Sequence, residues 1–459
     1  MYRSGLIRTA VAVAASSVCL VSGAAGAWAQ PAAPTALSGA RPEAPTAPSG
    51  AQATRADAVQ DAKQAAARSL REAYATGQVK DVMAGTLTSA NEVSLDRLPI
   101  RSAASGFRAS VESSNSAILT AKGLPASTGN VLQVRLANPQ ARAALAEGVQ
   151  PLIAAEPSDR QATSLTAYRP DGTEVKLGAT APADVPVLIV GIDGDRIVAA
   201  GTKVMSDGFK AAWPQAGTSS GGGLSTLEPK TAAAARATSR TAPIPRPAGQ
   251  KASAARTSGT GTTAKSGTAS GNDTAGKAGA PQGKNVTRIN NVQLHKSNEE
   301  PFWKGGAEAF AVVSGWDRND KAFAEPALQL PYLDWTDVDY HPGQNLIDWS
   351  HFGYDSADLV FLEEDDGTNY KDLTKAIVDA LLTVTGYGTT GIPLANTIMD
   401  AIPDKWWTDD TDELDQVYSV SQGAIAKAQN SGAPGLTYFG ASGGSNISIG
   451  LSNAFIPKT

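Results

Sequence analysis

Residues 213–284 cannot bury a core, and they divide the chain in two. Of these 72 residues, 53 are Ala, Gly, Ser, Thr or Pro, and Trp213 is the one aromatic. Such a stretch has too little apolar surface to offset the entropy of ordering it. It reads as a disordered basic linker with nine Lys+Arg against two Asp+Glu. As a flexible coil it spans roughly 45 Å on average. Whatever folds must lie before it, after it, or in both places.

The start of the 459-residue chain has the layout of an export signal. Arg3 and Arg8 precede an apolar run from Ala10 to Val21, and Ala27-Trp28-Ala29 is a small-x-small cleavage site;. Residues 1–29 are expected to be removed, which makes the protein secreted, periplasmic or extracellular. Cys19 is the only cysteine and leaves with the signal, so the remainder has no disulfide despite an oxidising destination. No later segment is apolar enough to span a membrane; the best run, Pro186 to Ile192, ends at Asp193;.

Five segments follow from these boundaries: the signal at 1–29, a disordered Pro/Ala-rich leader at 30–55, an α+β domain at 56–212, the linker at 213–284, and an acidic domain at 285–459. In the N-terminal domain Val59, Ala62, Ala66, Leu70 and Ala73 recur at helical spacing, and Gly77 is the stop;. Strands are expected at Asn130 to Leu136, Leu165 to Tyr168, Glu174 to Leu177 and Val185 to Ile192, with a helix from Gln140 to Glu147. Pro170-Asp171-Gly172 supplies the turn between two of the strands;. Gly191-Ile-Asp-Gly194 lacks the further glycine of a dinucleotide fingerprint, so no organic cofactor is expected;.

The charge is segregated. Residues 1–212 hold 20 basic and 17 acidic side chains, whereas 285–459 hold 10 basic and 25 acidic. An acidic domain repels phosphates, which excludes nucleic acid as its partner; the basic linker could associate loosely with an anionic surface. Eight short strands with turn signals between them describe an antiparallel β-sandwich: 288–296, 307–314, 328–332, 345–349, 358–362, 416–422, 436–440 and 446–451. Helices at Lys371 to Val384 and Pro393 to Ile402 interrupt it. The expected class is therefore α+β, with a two-helix insertion in the C-terminal sandwich.

The runs Glu300-Pro-Phe-Trp-Lys-Gly-Gly-Ala-Glu308, Pro331-Tyr-Leu-Asp334, Glu364-Asp-Asp-Gly-Thr-Asn-Tyr370 and Trp407-Thr-Asp-Asp-Thr-Asp412 resemble the domain-of-unknown-function 3103 family of secreted bacterial proteins. Val134-Arg-Leu-Ala137 and Pro186-Val-Leu-Ile-Val190 are similar to it as well. The resemblance implies secretion and names no activity. The C-terminal layout is also loosely similar to C2-type sandwiches, in which acidic loops at one end hold calcium.

Acid gathered in Gly- and Asn-bearing turns is what a hard cation requires, since calcium takes six to eight oxygens. Asp317, Asp320, Glu364, Asp365, Asp366, Asp410 and Asp412 are the candidate ligands, on the expectation that the sandwich brings their loops to one rim. The rival is a set of separate solvated turns. His341, His351, Asp348 and Glu363 form a weaker zinc or iron constellation, because no metal-binding spacing links them. Gly440-Ala-Ser442-Gly-Gly444 matches a serine-hydrolase elbow in letters only: a strand is expected after it where the elbow needs a helix. Trp406-Trp407 could expose one ring. The reading is a non-enzymatic binding or structural protein, with a secreted glycan or peptide hydrolase and a calcium-dependent surface or lipid adhesin as alternatives; the partner is unknown.

Overall fold

The computed structural model describes residues 50–77, 79, 85, 87, 92–98, 105–158, 162–214, 282–295, 302–384, 393–402, 413–441 and 446–458. The signal, nearly all of the leader and linker, Asp410, Asp412, Trp406, Trp407 and Ser442 lie outside the described residues. Helices and sheets are mixed, as the α+β expectation requires. No described helix is long and apolar enough to cross a membrane.

Before the linker, six strands form one sheet: β1 Glu92–Ser94, β2 Leu132–Leu136, β3 Leu152–Ala155, β4 Leu165–Tyr168, β5 Glu174–Leu177 and β6 Val187–Ile192. Their order is β1-β2-β6-β3-β4-β5, antiparallel throughout except for β3 beside β6. The central strand β6 reads Val-Leu-Ile-Val because both of its faces are covered;. Leu188 and Val190 face one core, and Val187 and Ile189 face another.

Helices α1 Gly50–Ala75 and α2 Ser105–Ala121 pack together, and α1 lies on β3 and β6. Helix α1 starts inside the segment assigned to the leader. All five residues of its anticipated stripe are buried. The opposite sheet face is closed from beyond the linker, where Phe302 and Trp303 pack on Leu152, Ala154, Leu165, Ala167, Val187 and Ile189. The short α3 Arg142–Ala146 joins β2 to β3.

After the linker, nine strands make two antiparallel sheets. Strands β8 Ala309–Trp316, β9 Ala322–Ala324, β10 Leu328–Leu330, β12 Ala357–Glu363 and β13 Glu413–Val420 form one, in the order β10-β8-β12-β13 with β9 also on β8. Strands β7 Gly283–Leu294, β11 Gln344–Asp348, β14 Leu436–Phe439 and β15 Ile447–Pro457 form the other, in the order β11-β7-β15-β14. Ile289, Val292, Ile447, Ile449 and Leu451 of the second sheet share a core with Val312, Leu359 and Phe361 of the first. All eight anticipated strands are present. Strand β15 continues to Pro457, and β7 starts at Gly283, inside the end assigned to the linker. The expected helices are α5 Tyr370–Thr383 and α6 Leu394–Ala401; α7 Gln422–Asn430 was not anticipated.

The two halves are not independent: residues on both sides of the linker belong to one hydrophobic cluster. The bridging element is α4 Gly194–Ala212, which packs on α5, β8 and β10. Asp193 caps it by accepting from the Arg196 N–H;. Gly194, Gly201 and Gly208 recur every seven residues along one side of α4 and admit Glu308, Tyr370 and Thr374 against the backbone.

A second junction is head to tail. Helix α2 ends at Gly123, whose φ of +66° suits its left-handed cap;. The open carbonyls of Ala121 and Lys122 accept from the Asn369 side chain (2.7 Å) and the Tyr370 N–H (3.0 Å) at the start of α5. The unsatisfied acceptors of one helix end thus meet the unsatisfied donors of another.

Candidate functional site

The deepest polar feature is a cleft of about 100 Å³ between the N-terminal sheet and the chain beyond the linker. Its floor follows from strand register. Arg135 lies opposite Glu92 on one side and Ile189 on the other, and Gln133 lies opposite Gly191. The outer rows of this face are apolar under Trp303, and its end is polar. Arg135 pairs with Glu156 at 2.9 Å and also donates to the Trp303 carbonyl. Gly191 has no side chain because the Glu156 carboxylate occupies that space. The other wall carries Lys304, Gly305, Gly306, Glu308 and the knot Glu363 to Asp366.

That knot is where the calcium expectation was strongest, and protein cations fill it. Lys63 of α1, 1% exposed, donates to Asp366, which also accepts from the Ser158 hydroxyl. Lys122, fully buried, donates to Glu364 Oε1 and to the Asp365 carbonyl; Tyr370 Oη donates to Glu364 Oε2. The Asp365 side chain accepts from Thr368 at 3.1 Å.

The two buried carboxyls are driven in opposite directions. Burial pushes Glu364 up to about 7, against the pull of the Lys122 charge and the bonds from Lys122 and Tyr370. Burial also opposes ionisation of Asp366, but the charges of Lys63 and Lys122 and the bonds from Lys63 and Ser158 hold it below the usual carboxylate range. Tyr370 is raised well above its ordinary value by burial and by the Glu364 charge, so it stays a donor.

Asp317 and Asp320 are elsewhere. The Glu364 N–H donates to the Glu308 carbonyl (2.9 Å), just before β8, whereas Asp317 follows the end of β8. At about 3.3 Å per residue these places are on the order of 25–30 Å apart. One ion cannot bridge them, because its ligand oxygens must all lie within about 2.6 Å of it. The expectation of a single shared rim therefore fails on strand direction: acids that follow β8 and acids that follow its antiparallel neighbour β12 leave at opposite ends. Asp317 closes its own turn by accepting from the N–H groups of Asn319 (2.8 Å) and Lys321 (2.9 Å). Asp320, at φ 58°, accepts from Tyr354.

Among the described residues, no group of three or more His, Cys, Asp and Glu is arranged to hold a metal ion. His341 pairs with Asp339 (3.2 Å), and His351 with the buried Glu325 (2.7 Å). Strand β15 follows β14 as its antiparallel partner, so the elbow-like glycine run joins two strands of a hairpin.

Lys63, Lys122, Arg135, Glu156, Glu308 and Tyr370 were not singled out in the sequence. One was detectable: Lys63 follows Val59 by four and precedes Ala66 and Ala67 by three and four, a charge inside an apolar stripe. Lysine is almost never fully buried unless paired.

Together, a mixed three-sheet fold and an ion-paired cleft between its halves define a class of architecture without an evident reaction centre. The chain belongs to the DUF3103 family of proteins of unknown function, whose family model matches residues 63–439. That span begins at the buried Lys63 and covers every residue that lines the cleft. No curated protein and no solved structure matches the chain.

Proposed function

We infer that this is an exported, non-enzymatic binding protein whose cleft takes one small cationic group, an ammonium or guanidinium. The carrying observation is the lining: seven carboxylates (Glu92, Glu156, Glu308, Glu363, Glu364, Asp365, Asp366) against three cations (Lys63, Arg135, Lys304). Such an excess in a recess walled by protein favours a positive guest. The size agrees, since about 100 Å³ is room for about three waters at ~30 Å³ each and admits the head of a ligand. Calcium is the competing guest. A C2-like site would need the acidic loops gathered at one end, and the described ones are divided between the two ends of β8.

The test is calorimetric titration of the full chain with putrescine and, separately, with calcium chloride. Putrescine is expected to bind, to raise the melting temperature with concentration, and to weaken with added salt. Glu308→Gln with Glu363→Gln should reduce the heat. Calcium binding without putrescine binding would transfer the site to the metal, and no heat from either would end this reading.

Hydrolysis has one observation in its favour, the carboxyl of Glu364 held near neutrality where a proton donor works well;. Against it, both oxygens of Glu364 already serve Lys122 and Tyr370, which leaves neither aimed at a substrate.

A further inference from the structure

We propose that Lys122 Nζ and Glu364 Cδ form an intramolecular amide, an isopeptide bond that joins the two halves of the chain covalently. The proposal goes beyond the cleft's ligand and does not depend on it.

The geometry is that of a reactant pair held in place. The Lys122 side chain is fully buried, Glu364 is 4% exposed, and Nζ lies against Glu364 Oε1. Each partner is fixed through its backbone, Lys122 by the Tyr370 N–H and Glu364 by its bond to the Glu308 carbonyl. Nothing must diffuse or reorient, and this is the situation in which effective molarities become very high. The Asp365 carbonyl accepts from Nζ, and Tyr370 Oη donates to Oε2.

The chemistry balances without any added reagent. Away from water, a buried ammonium and carboxylate are costly, and passing one proton from Nζ to the carboxyl gives a neutral amine and a neutral acid. The Nζ lone pair attacks Cδ and the C–N bond forms. Tyr370 Oη supports the charge that develops on Oε2. Nζ gives up a second proton, the C–Oε1 bond breaks, and Oε1 leaves as water with both protons. No electron changes hands. Glu364 lines the cleft, so the water has an exit.

The product removes two buried charges and leaves an amide whose N–H faces the Asp365 carbonyl. It would tie positions 242 residues apart, across the whole linker, in a chain whose one cysteine is Cys19. The neighbouring pair Lys63 and Asp366 serves as an internal control. Asp366 accepts from Ser158 as well and lies near both lysines, a setting that keeps its carboxylate charged and unreactive toward an amine.

The experiment is mass spectrometry of the purified full chain under denaturing conditions, followed by peptide mapping. The expected result is a deficit of one water, located in a branched peptide joining Lys122 to Glu364 and absent from Lys122→Arg. A site-specific protease sequence placed within 215–281 gives a second readout. After cleavage the halves should run as one band on a denaturing gel, and as two in Lys122→Arg. A wild-type mass equal to the sequence mass, with free Lys122 and Glu364 peptides and two bands after cleavage, would overturn the proposal. That outcome needs no variant to fold.

Discussion

Gly201→Ala is expected to destabilise the protein by about 2–3 kcal/mol, although alanine is the better helix former. Gly201 lies in the middle of α4, where helix propensity alone predicts a gain of ~1 kcal/mol on adding a methyl. The packing decides otherwise. A Cβ at this position would sit under 3.0 Å from the Tyr370 ring, closer than real side chains approach. The ring cannot withdraw: Tyr370 is fully buried, its hydroxyl is held by Glu364, and its N–H is bound to the end of α2. The methyl must therefore push α4 off α5 and loosen the contact between the halves.

Gly106→Ala is the matched control. It is the same substitution in an α-helix, at a place where an added Cβ meets nothing within 4 Å. It should stabilise by ~0.5 kcal/mol. Urea unfolding of the two variants should give shifts of opposite sign. A neutral or stabilising Gly201→Ala would mean that α4 and α5 are not in such close contact.

The contrast between these glycines shows where sequence reading succeeds on this chain. Apolar periodicity is a local property, so the buried stripe of α1, the strand β6 and the helix α5 are all evident in it. Helix α4 was missed because the three glycines that allow it to dock also weaken the pattern that announces a helix. The acid knot at Glu364 to Asp366 was legible as a concentration of charge that needs a counter-charge. What supplies it was not: Lys63 and Lys122 lie some 300 and 242 positions away, and no local pattern encodes a partner at that range. The sequence was read as calling for an ion from solution, where the fold brings two lysines. Strand direction was the other hidden variable. That β12 runs antiparallel to β8 separates two acid loops that look equivalent in one dimension.

Lys63→Met should cost about 3–5 kcal/mol at neutral pH, the range seen when one partner of a buried ion pair is removed. The side chains keep similar volume, so the loss is not a cavity effect. It arises because Asp366, 10% exposed in its side chain, is left charged with only Lys122 nearby and the Ser158 hydroxyl for support. Adding Asp366→Asn should restore most of the stability, to within about 1 kcal/mol, since a neutral amide oxygen still accepts from Ser158 and carries no charge to strand. The non-additivity of this cycle measures the pair. Its pH dependence has a defined sign. Asp366 is held below its ordinary 3.8 in the folded protein, so its contribution is complete above that value and is lost as the pH falls through the lower, folded one. Without Lys63, burial dominates and the carboxyl protonates more readily, so the gap between wild type and Lys63→Met should narrow as the solution is acidified from pH 7 to about 3.5. Urea unfolding at the two pH values checks this. A gap that stayed constant or widened would show that Lys63 stabilises the junction through its aliphatic stem, and that its charge does not.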